Sequence, residues 1–233
     1  MPFADRGGAR RAEGNRVSPA VGAASSVEVV VGDGVRLGGD MLLPEAATGL
    51  VVFAHGAGSS RGSPRNRQVA AALADRGLAT LLFDLLTPTE ARDRSNVFDI
   101  ALLAGRLAGA TAWVRTDDRI AHLRVGWFGA STGAAAALWA AAEPGAAVGA
   151  VVSRGGRPDL AADRLPRVST PTLLIVGGAD EVVLELNRRA HDRLRCEREL
   201  VVVPGATHLF TEPGALDAVA RLAGDWFLRH LRA

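Results

Sequence analysis

The sequence contains no lysine and no tyrosine, so arginine supplies all 27 of its Lys and Arg cations. Hardly any group therefore titrates between histidine and arginine, and a formal net charge of only +2 accompanies a pI of about 9.8. Within residues 1–16, four arginines against two acidic residues already give the whole surplus of +2. A high pI of this origin does not indicate a basic face, and we expect no nucleic-acid partner.

Cysteine is almost absent, since Cys196 is the single one. This excludes an intramolecular disulfide framework, and without a CxxC motif or a His/Cys cluster the sequence offers no metal cage. No run of about 18 uncharged apolar residues occurs, and the N-terminus lacks the apolar core of a signal peptide. We therefore expect a soluble cytoplasmic protein with no membrane partner, no metal and no cofactor.

The first 25 residues are rich in Gly, Ala, Ser and Arg without periodicity, which predicts a disordered tail. Residues 26–233 are predicted to form one domain, because a hydrophobic content of 48% allows a sizeable core. At the start of that domain, SVEVVVG (26–32) and VRLGGDMLLP (35–44) flank a Gly-Asp-Gly turn. This pattern predicts an antiparallel hairpin.

Continuous apolar runs are typical of parallel strands that are buried on both faces. Six such runs occupy residues 50–54, 79–83, 124–129, 146–153, 171–178 and 198–205. Helical patterns lie between or after them, at residues 65–76, 99–115, 132–142, 184–195 and 215–230. The alternation predicts an α/β fold with about eight strands, mostly parallel, and helices on both faces. We expect the irregular connection 84–100 to shape a pocket at the carboxyl edge of the sheet.

The segment GWFGASTGAAAALWA (126–140) places Ser131 between a strand and a helix, with Gly129 and Gly133 two residues away on either side. A sharp turn of this kind raises a nucleophilic serine above the sheet and leaves room only for glycine at those positions. It also directs the amide of Thr132 towards the space where an oxyanion develops. The alternative interpretation is a helix-capping serine beside incidental glycines.

A serine nucleophile needs a base that is held in place by an acid. Asp180 follows the strand at 171–178 and His208 follows the strand at 198–205, so both lie at the same sheet edge as Ser131. Taken singly, Asp180 is equally explained as a helix cap, and His208 as a loop histidine bonded to backbone. Taken together, these explanations require residue type, chain order and strand end to coincide by chance, so the sequence favours a catalytic triad.

The loop FAHGAGSSRGSPRN (53–66) follows the third strand, and its glycines allow the backbone to bend inwards. The amide of Ala57 is therefore predicted as the oxyanion donor that pairs with Thr132. We expect His55 to fix this loop by hydrogen bonding rather than to transfer protons.

Arg154 follows the strand at 146–153, on the edge where the active site is predicted. A guanidinium there is a candidate to bind a substrate carboxylate or phosphate. The alternative is a surface arginine paired with Asp159 or Asp163.

Four motifs occur in the order found in the α/β-hydrolase superfamily: HGAG at 55–58, GASTG at 129–133, GGADEVV at 177–183 and PGATHLF at 204–210. Over residues 26–231 the sequence resembles the dienelactone-hydrolase-like branch of that superfamily. The resemblance implies the α/β-hydrolase fold, with Ser131 as nucleophile, Asp180 as acid and His208 as base. It also implies that the amides of Ala57 and Thr132 form the oxyanion hole.

Dienelactone hydrolases proper use a cysteine nucleophile, and the serine found here favours general ester hydrolysis. The stretch VVSRGGRPDLAA (151–162) resembles a subgroup of small bacterial hydrolases that also occur fused behind a phosphoribosyltransferase-like domain. Only about 20 residues separate the strands at 146–153 and 171–178, so we expect no large cap domain.

The sequence thus predicts a serine carboxylesterase that cleaves short-acyl or otherwise small esters, including anionic ones, through an acyl-enzyme. We expect an open, shallow pocket whose shape depends on the loop 87–96. Two other functions fit the same sequence: a non-catalytic scaffold of this fold that binds a ligand or partner, and an acyltransferase that uses the same triad. The sequence does not indicate an oligomeric state.

Overall fold

The computed structural model describes residues 24–32 and 34–232. The tail predicted for residues 1–25 lies outside this part of the chain, except for Ala24 and Ser25. Eight strands form one sheet in the order β1-β2-β4-β3-β5-β6-β7-β8. Their bounds are β1 Ser25–Val31, β2 Val35–Leu42, β3 Leu50–Ala54, β4 Ala79–Phe83, β5 Val125–Ala130, β6 Ala150–Arg154, β7 Thr172–Gly177 and β8 Arg198–Val203.

The first two strands form the predicted hairpin, with Val31 opposite Val35. Gly32 and Gly34 both adopt positive φ, at 51° and 86°, a conformation that glycine adopts without strain. β2 also pairs antiparallel with β4, and the remaining strands run parallel to one another. The predicted α/β fold with antiparallel first strands is therefore confirmed.

Six α-helices surround the sheet within the described residues. They are α1 Pro64–Ala74, α2 Arg94–Phe98, α3 Ile100–Val114, α4 Thr132–Ala141, α5 Glu181–Arg193 and α6 Ala215–Leu231. α1 and α6 share a buried core on one face of the sheet, whereas α3, α4 and α5 pack into the core of the other face. This explains why strands such as β3 and β5 are buried along their whole length and are apolar without alternation. None of the helices in the described part of the chain is long and apolar enough to cross a membrane.

The structure shifts several predicted boundaries. β6 begins at Ala150 rather than at residue 146, because Gly145 turns the chain at φ 78°. Only from Gly149, whose amide donates to the Val125 carbonyl of β5, does the chain bond to the neighbouring strand. α5 begins at Glu181 rather than at residue 184, directly after Asp180. The connection 84–100, predicted as irregular, contains α2. Between β6 and β7, where every residue is described, the chain makes two 3₁₀ turns and no inserted domain.

Candidate active site

Ser131 occupies the turn between β5 and α4, at φ 52° and ψ −118°. This left-handed conformation is strained for a residue that carries a side chain, and such strain is concentrated at functional sites. Ser131 stands at the capping position of α4, but its side chain makes no capping hydrogen bond to that helix. The geometry thus matches a nucleophile elbow rather than a helix cap.

The two glycines of GASTG are required by close backbone contacts. A Cβ atom on Gly129 would lie 2.4 Å from Ala134 Cα, and one on Gly133 would lie 2.1 Å from the carbonyl oxygen of Ala54. Both distances are far inside van der Waals contact. The sequence therefore places glycine where the strand, the helix and the end of β3 converge on Ser131.

Asp180 and His208 lie in contact at the same sheet edge. The Nδ1 atom of His208 is 2.7 Å from Asp180 Oδ2, the distance of a charge-assisted hydrogen bond. Asp180 stands at the capping position of α5, yet its side chain makes no capping bond. Its carboxylate is directed to the imidazole instead, as a triad acid requires.

The loops that carry these two residues are joined by backbone contacts. The amide of Ala179 donates to the carbonyl of Ala206 at 2.9 Å. A Cβ atom on Gly177 would lie 2.2 Å from that same carbonyl oxygen, so only glycine allows the loops after β7 and β8 to meet so closely. The packing of these loops brings Asp180 to His208.

A tight turn after β6, residues 154–157, connects Ser131 to His208. The Ser131 amide donates to the Arg154 carbonyl at 3.2 Å, and the Arg157 amide donates to the Ser131 carbonyl at 3.1 Å. A Cβ atom on Gly155 would lie 3.5 Å from His208 Nδ1. Within the described residues the Ser131 hydroxyl makes no hydrogen bond to the imidazole. In ligand-free enzymes this contact is often long and tightens only with substrate.

Asn187 on α5 supports the same turn and was missed by the sequence analysis. Its side chain is fully buried, and Nδ2 donates to the carbonyls of Gly156 at 3.0 Å and Val183 at 2.8 Å. The available signal was a polar residue on the buried face of a helix, which needs hydrogen-bond partners. Asn187 thereby anchors the turn that holds the Ser131 backbone on both sides.

The amides predicted to receive an oxyanion, those of Ala57 and Thr132, have no acceptor among the residues that the structure describes. Both residues line one cavity. Thr132 is the first residue of α4, where amides have no partner within the helix and the helix dipole is positive. A Cβ atom on Gly56 would lie 3.1 Å from Ser131 Cβ, so the loop with Ala57 lies beside the nucleophile.

The cavity has a volume of about 400 Å³, and most of its wall is apolar. The apolar lining residues are Leu85, Leu86, Pro88, Ala91, Val97 and Leu103. Its charged lining residue, Asp84, is neutralised by Arg61, whose amide and guanidinium contact the two carboxylate oxygens at 2.8 Å each. The connection 84–100 supplies most of the apolar wall, as predicted.

His55 links the two loops that border this cavity. Its Nε2 accepts from the Leu85 amide at 3.1 Å, and Nδ1 lies 3.0 Å from the Gly56 carbonyl. These partners require the neutral tautomer with its proton on Nδ1. Burial lowers the pKa of His55 and favours this neutral form. Both ring nitrogens bind backbone, which agrees with a role in fixing the loop.

Arg154 and Arg157 have different surroundings. Arg157 forms a two-bond ion pair with Asp159, at 2.9 and 2.8 Å, whereas Asp163 pairs with Arg193 at 3.7 Å. Arg154 is buried and does not line the cavity beside Ala57 and Thr132. The described residues contain no group of three or more His, Cys, Asp or Glu side chains arranged to hold a metal.

Comparison with known proteins agrees with the fold. The dienelactone hydrolase family model matches residues 39–231. A crystal structure of a dienelactone hydrolase from Anabaena variabilis is 56% identical, superposes with a TM-score of 0.86, and covers 90% of this chain and 98% of its own. Est1E from Butyrivibrio proteoclasticus shares the fold at 16% identity, with a TM-score of 0.74 over 88% of this chain and 98% of its own.

Curated relatives from Mycobacterium tuberculosis, named as proposed phosphoribosyl transferases, are 62% identical over 205 residues. The match covers 88% of this chain but only 46% of each relative, so their name describes a protein about twice as long. The family match, by contrast, spans nearly all of the domain described here. The chain therefore belongs to the dienelactone hydrolase family, within the α/β-hydrolase superfamily.

Proposed function

We propose that this chain hydrolyses carboxylic esters of small molecules, with Ser131 as nucleophile, His208 as general base and Asp180 as the acid that orients it. The observation that carries the proposal is the 2.7 Å contact between His208 Nδ1 and Asp180 Oδ2, beside a serine held at a strained elbow. A base that is oriented by a carboxylate, at the same sheet edge as a half-buried serine, supports nucleophilic catalysis.

In the first half of the reaction, the Ser131 oxygen attacks the ester carbonyl carbon while His208 Nε2 takes the hydroxyl proton. The Asp180 carboxylate stabilises the resulting imidazolium through Nδ1. The negative charge that develops on the carbonyl oxygen is received by the amides of Ala57 and Thr132. When the tetrahedral intermediate collapses, the bond to the leaving oxygen breaks and His208 gives its proton to the departing alcohol.

In the second half, a water molecule attacks the acyl-Ser131 ester and gives its proton to His208. The same two amides again receive the oxyanion. Collapse releases the carboxylic acid and returns the proton to Ser131, so the enzyme is regenerated and one water is consumed per ester.

The apolar cavity of about 400 Å³ beside the oxyanion amides fits the acyl group of a small, uncharged acid. Burial of one methylene contributes about 0.8 kcal/mol, so each added carbon raises kcat/KM about fourfold while the chain still fits. Once the chain exceeds the cavity, kcat/KM falls. The break in this series measures the length of the acyl pocket.

The experiment is an acyl-chain series of p-nitrophenyl esters, measured on the wild type and on Ser131→Ala. We expect turnover by the wild type, the rise and fall described above, and loss of nearly all turnover in the variant. Product analysis with and without added alcohols separates hydrolysis, which releases the free acid, from transfer to the alcohol. Equal turnover by both proteins would refute the assigned nucleophile, and no turnover by either would favour a non-catalytic scaffold.

A further inference from the structure

Residues 87–98, which we call the wall segment, form one side of the apolar cavity. Pro88, Ala91 and Val97 line the cavity from this segment. No residue of the segment is buried, either in its 3₁₀ turn or in helix α2, and Val97 packs against the core while only half-buried. Burial in the core therefore contributes little to the position of the wall segment, and polar contacts have to fix it.

Glu90 is the centre of the hydrogen bonds within the wall segment. Its Oε2 accepts from the Thr87 amide at 2.8 Å, and its own amide donates to Thr87 Oγ1 at 3.2 Å. The carbonyl of Glu90 accepts from Asn96 Nδ2 of helix α2 at 3.1 Å. These bonds connect the start of the segment, its turn and its helix, so the position of Glu90 determines the position of the whole segment.

Arg106 of helix α3 joins the wall segment to the rest of the domain. Its Nη2 donates to Glu90 Oε1 at 2.7 Å, and its side chain is only 12% exposed. Among the residues that the structure describes, no other side-chain hydrogen bond or ion pair connects residues 87–98 to the remainder of the fold. Arg106 follows Leu103, which lines the cavity from α3, by three residues. The contact thus lies at the margin of the cavity.

The contact between Glu90 and Arg106 is ionic at neutral pH. Burial alone would raise the pKa of Glu90, but the hydrogen bonds from Thr87 and the charge of Arg106 outweigh it and lower that pKa. A charge-assisted bond of this kind is stronger than one between neutral groups, and Arg106 is shielded from water. The pair is therefore suited to hold the wall segment in one position.

We propose that the Glu90–Arg106 ion pair sets the size of the acyl cavity and restricts the enzyme to esters of short acyl chains. Neither side chain lines the cavity, so both act as positioning residues through Pro88, Ala91 and Val97. Without the pair the wall segment moves outwards, the cavity admits longer chains, and short chains lose part of their apolar contact. The inference rests on the proposed ester hydrolysis for the identity of the bound group as an acyl chain.

The kinetic test is the acyl-chain series of p-nitrophenyl esters, measured on Glu90→Gln, Arg106→Met and the double variant. The acyl length at which kcat/KM begins to fall should be greater in each variant than in the wild type. Below that length, the gain per added carbon should decrease from about fourfold to about twofold, because each methylene is less completely enclosed. The double variant should behave like either single variant, since all three lack the same ion pair.

Glu143→Gln is the matched control. Glu143 also pairs with an arginine, Arg164, but neither residue lines the acyl cavity. This variant should keep both the wild-type break in the series and the wild-type gain per carbon. If Glu90→Gln and Arg106→Met lower kcat/KM by the same factor at every acyl length, with the break unchanged, the pair has only a structural role and the inference is wrong.

A binding series separates this inference from the proposed esterase activity. Calorimetry gives the Kd of straight-chain primary amides, from propanamide to octanamide, which carry an acyl group but no ester bond. In the wild type the Kd should decrease with each carbon until the cavity is full, and in Glu90→Gln and Arg106→Met this decrease should continue to longer amides. Such a shift supports the inference even if no ester is hydrolysed. The same dependence of Kd on chain length in all the proteins would overturn it, whatever the esterase assay shows.

Discussion

Asp180 stands directly before helix α5, at the position of a helix cap, yet its carboxylate lies 2.7 Å from Nδ1 of His208 and caps nothing. A carboxylate at this position normally stabilises the helix by accepting from its first amides. Here the carboxylate orients an imidazole instead, and the helix begins without that bond. The sequence left two partners open for this carboxylate, and in the structure it meets the imidazole on the loop after β8 rather than the first amides of α5.

Asp180→Asn tests this pair. The amide cannot stabilise an imidazolium and favours the wrong tautomer of His208, so kcat should fall by on the order of 10³ to 10⁴ with little change in KM. Asp159→Asn, which weakens the half-buried pair with Arg157, is the control and should keep kcat. Steady-state kinetics with p-nitrophenyl butyrate gives both values. A kcat for Asp180→Asn within tenfold of the wild type would show that the carboxylate has no such role.

Asn187→Ala tests the support of the Ser131 turn. Loss of the bond from Asn187 to the Gly156 carbonyl should loosen the backbone around the nucleophile and lower kcat about tenfold, with a smaller change in KM. Asn66→Ala is matched, because Asn66 is also a buried helical asparagine but lies in α1. Both variants should be less stable than the wild type, but kcat should fall only in Asn187→Ala. If kcat changes equally in the two, Asn187 contributes to stability alone.

His55 makes the stability of the fold depend on pH. Burial lowers its pKa from the ordinary 6.5, so below that pH the unfolded chain binds a proton that the folded chain excludes. Above pH 6.5 the titration of His55 should therefore not change the free energy of unfolding. As the pH falls from 6.5 towards the pKa of His55 in the folded protein, the free energy of unfolding should decrease, by at most about 1.4 kcal/mol per pH unit.

The measurement is urea unfolding of the wild type and of His55→Gln between pH 5 and pH 8. The variant lacks the titrating ring, so the difference in unfolding free energy between the two proteins should be greatest above pH 6.5 and should narrow in acid. A difference that is independent of pH would mean that His55 titrates equally in the folded and unfolded states.

Arg154→Met should be at least as stable as the wild type in the absence of ligand. Arg154 is buried and has no ion-pair partner among the described residues. Its replacement by an apolar side chain of similar length removes a desolvation cost, and we expect a gain of about 1 kcal/mol or more. Arg157→Met, which breaks the pair with Asp159, should show no such gain. Thermal unfolding in a buffer that contains no carboxylate or phosphate measures the stability of both variants. A clear loss of stability in Arg154→Met would indicate that the guanidinium already has a stabilising partner.

The strands, most helices and the meeting of Asp180 with His208 were predictable because each depends on local signals: apolar runs without alternation, glycines at fixed offsets, and polar residues at strand ends. The role of Asn187 was not predictable, since a polar residue within a helical pattern does not show which loop its side chain contacts. The burial of Arg154 was also not predictable. The sequence places Arg154 and Arg157 at the same end of the sheet, but it does not determine which of them pairs with Asp159. The early start of α5 was not predicted, because Asp180 precedes the helix without a side-chain capping bond and its carboxylate meets His208 instead.

The most direct test of the central claim is covalent labelling by a fluorophosphonate, followed by peptide mass spectrometry and an assay of residual esterase activity. Such reagents react with a serine activated by a base and oxyanion donors. The account predicts a single adduct on Ser131, loss of activity in proportion to labelling, and no adduct in the His208→Ala variant. Full esterase activity with Ser131 completely labelled, or labelling confined to another residue, would contradict it.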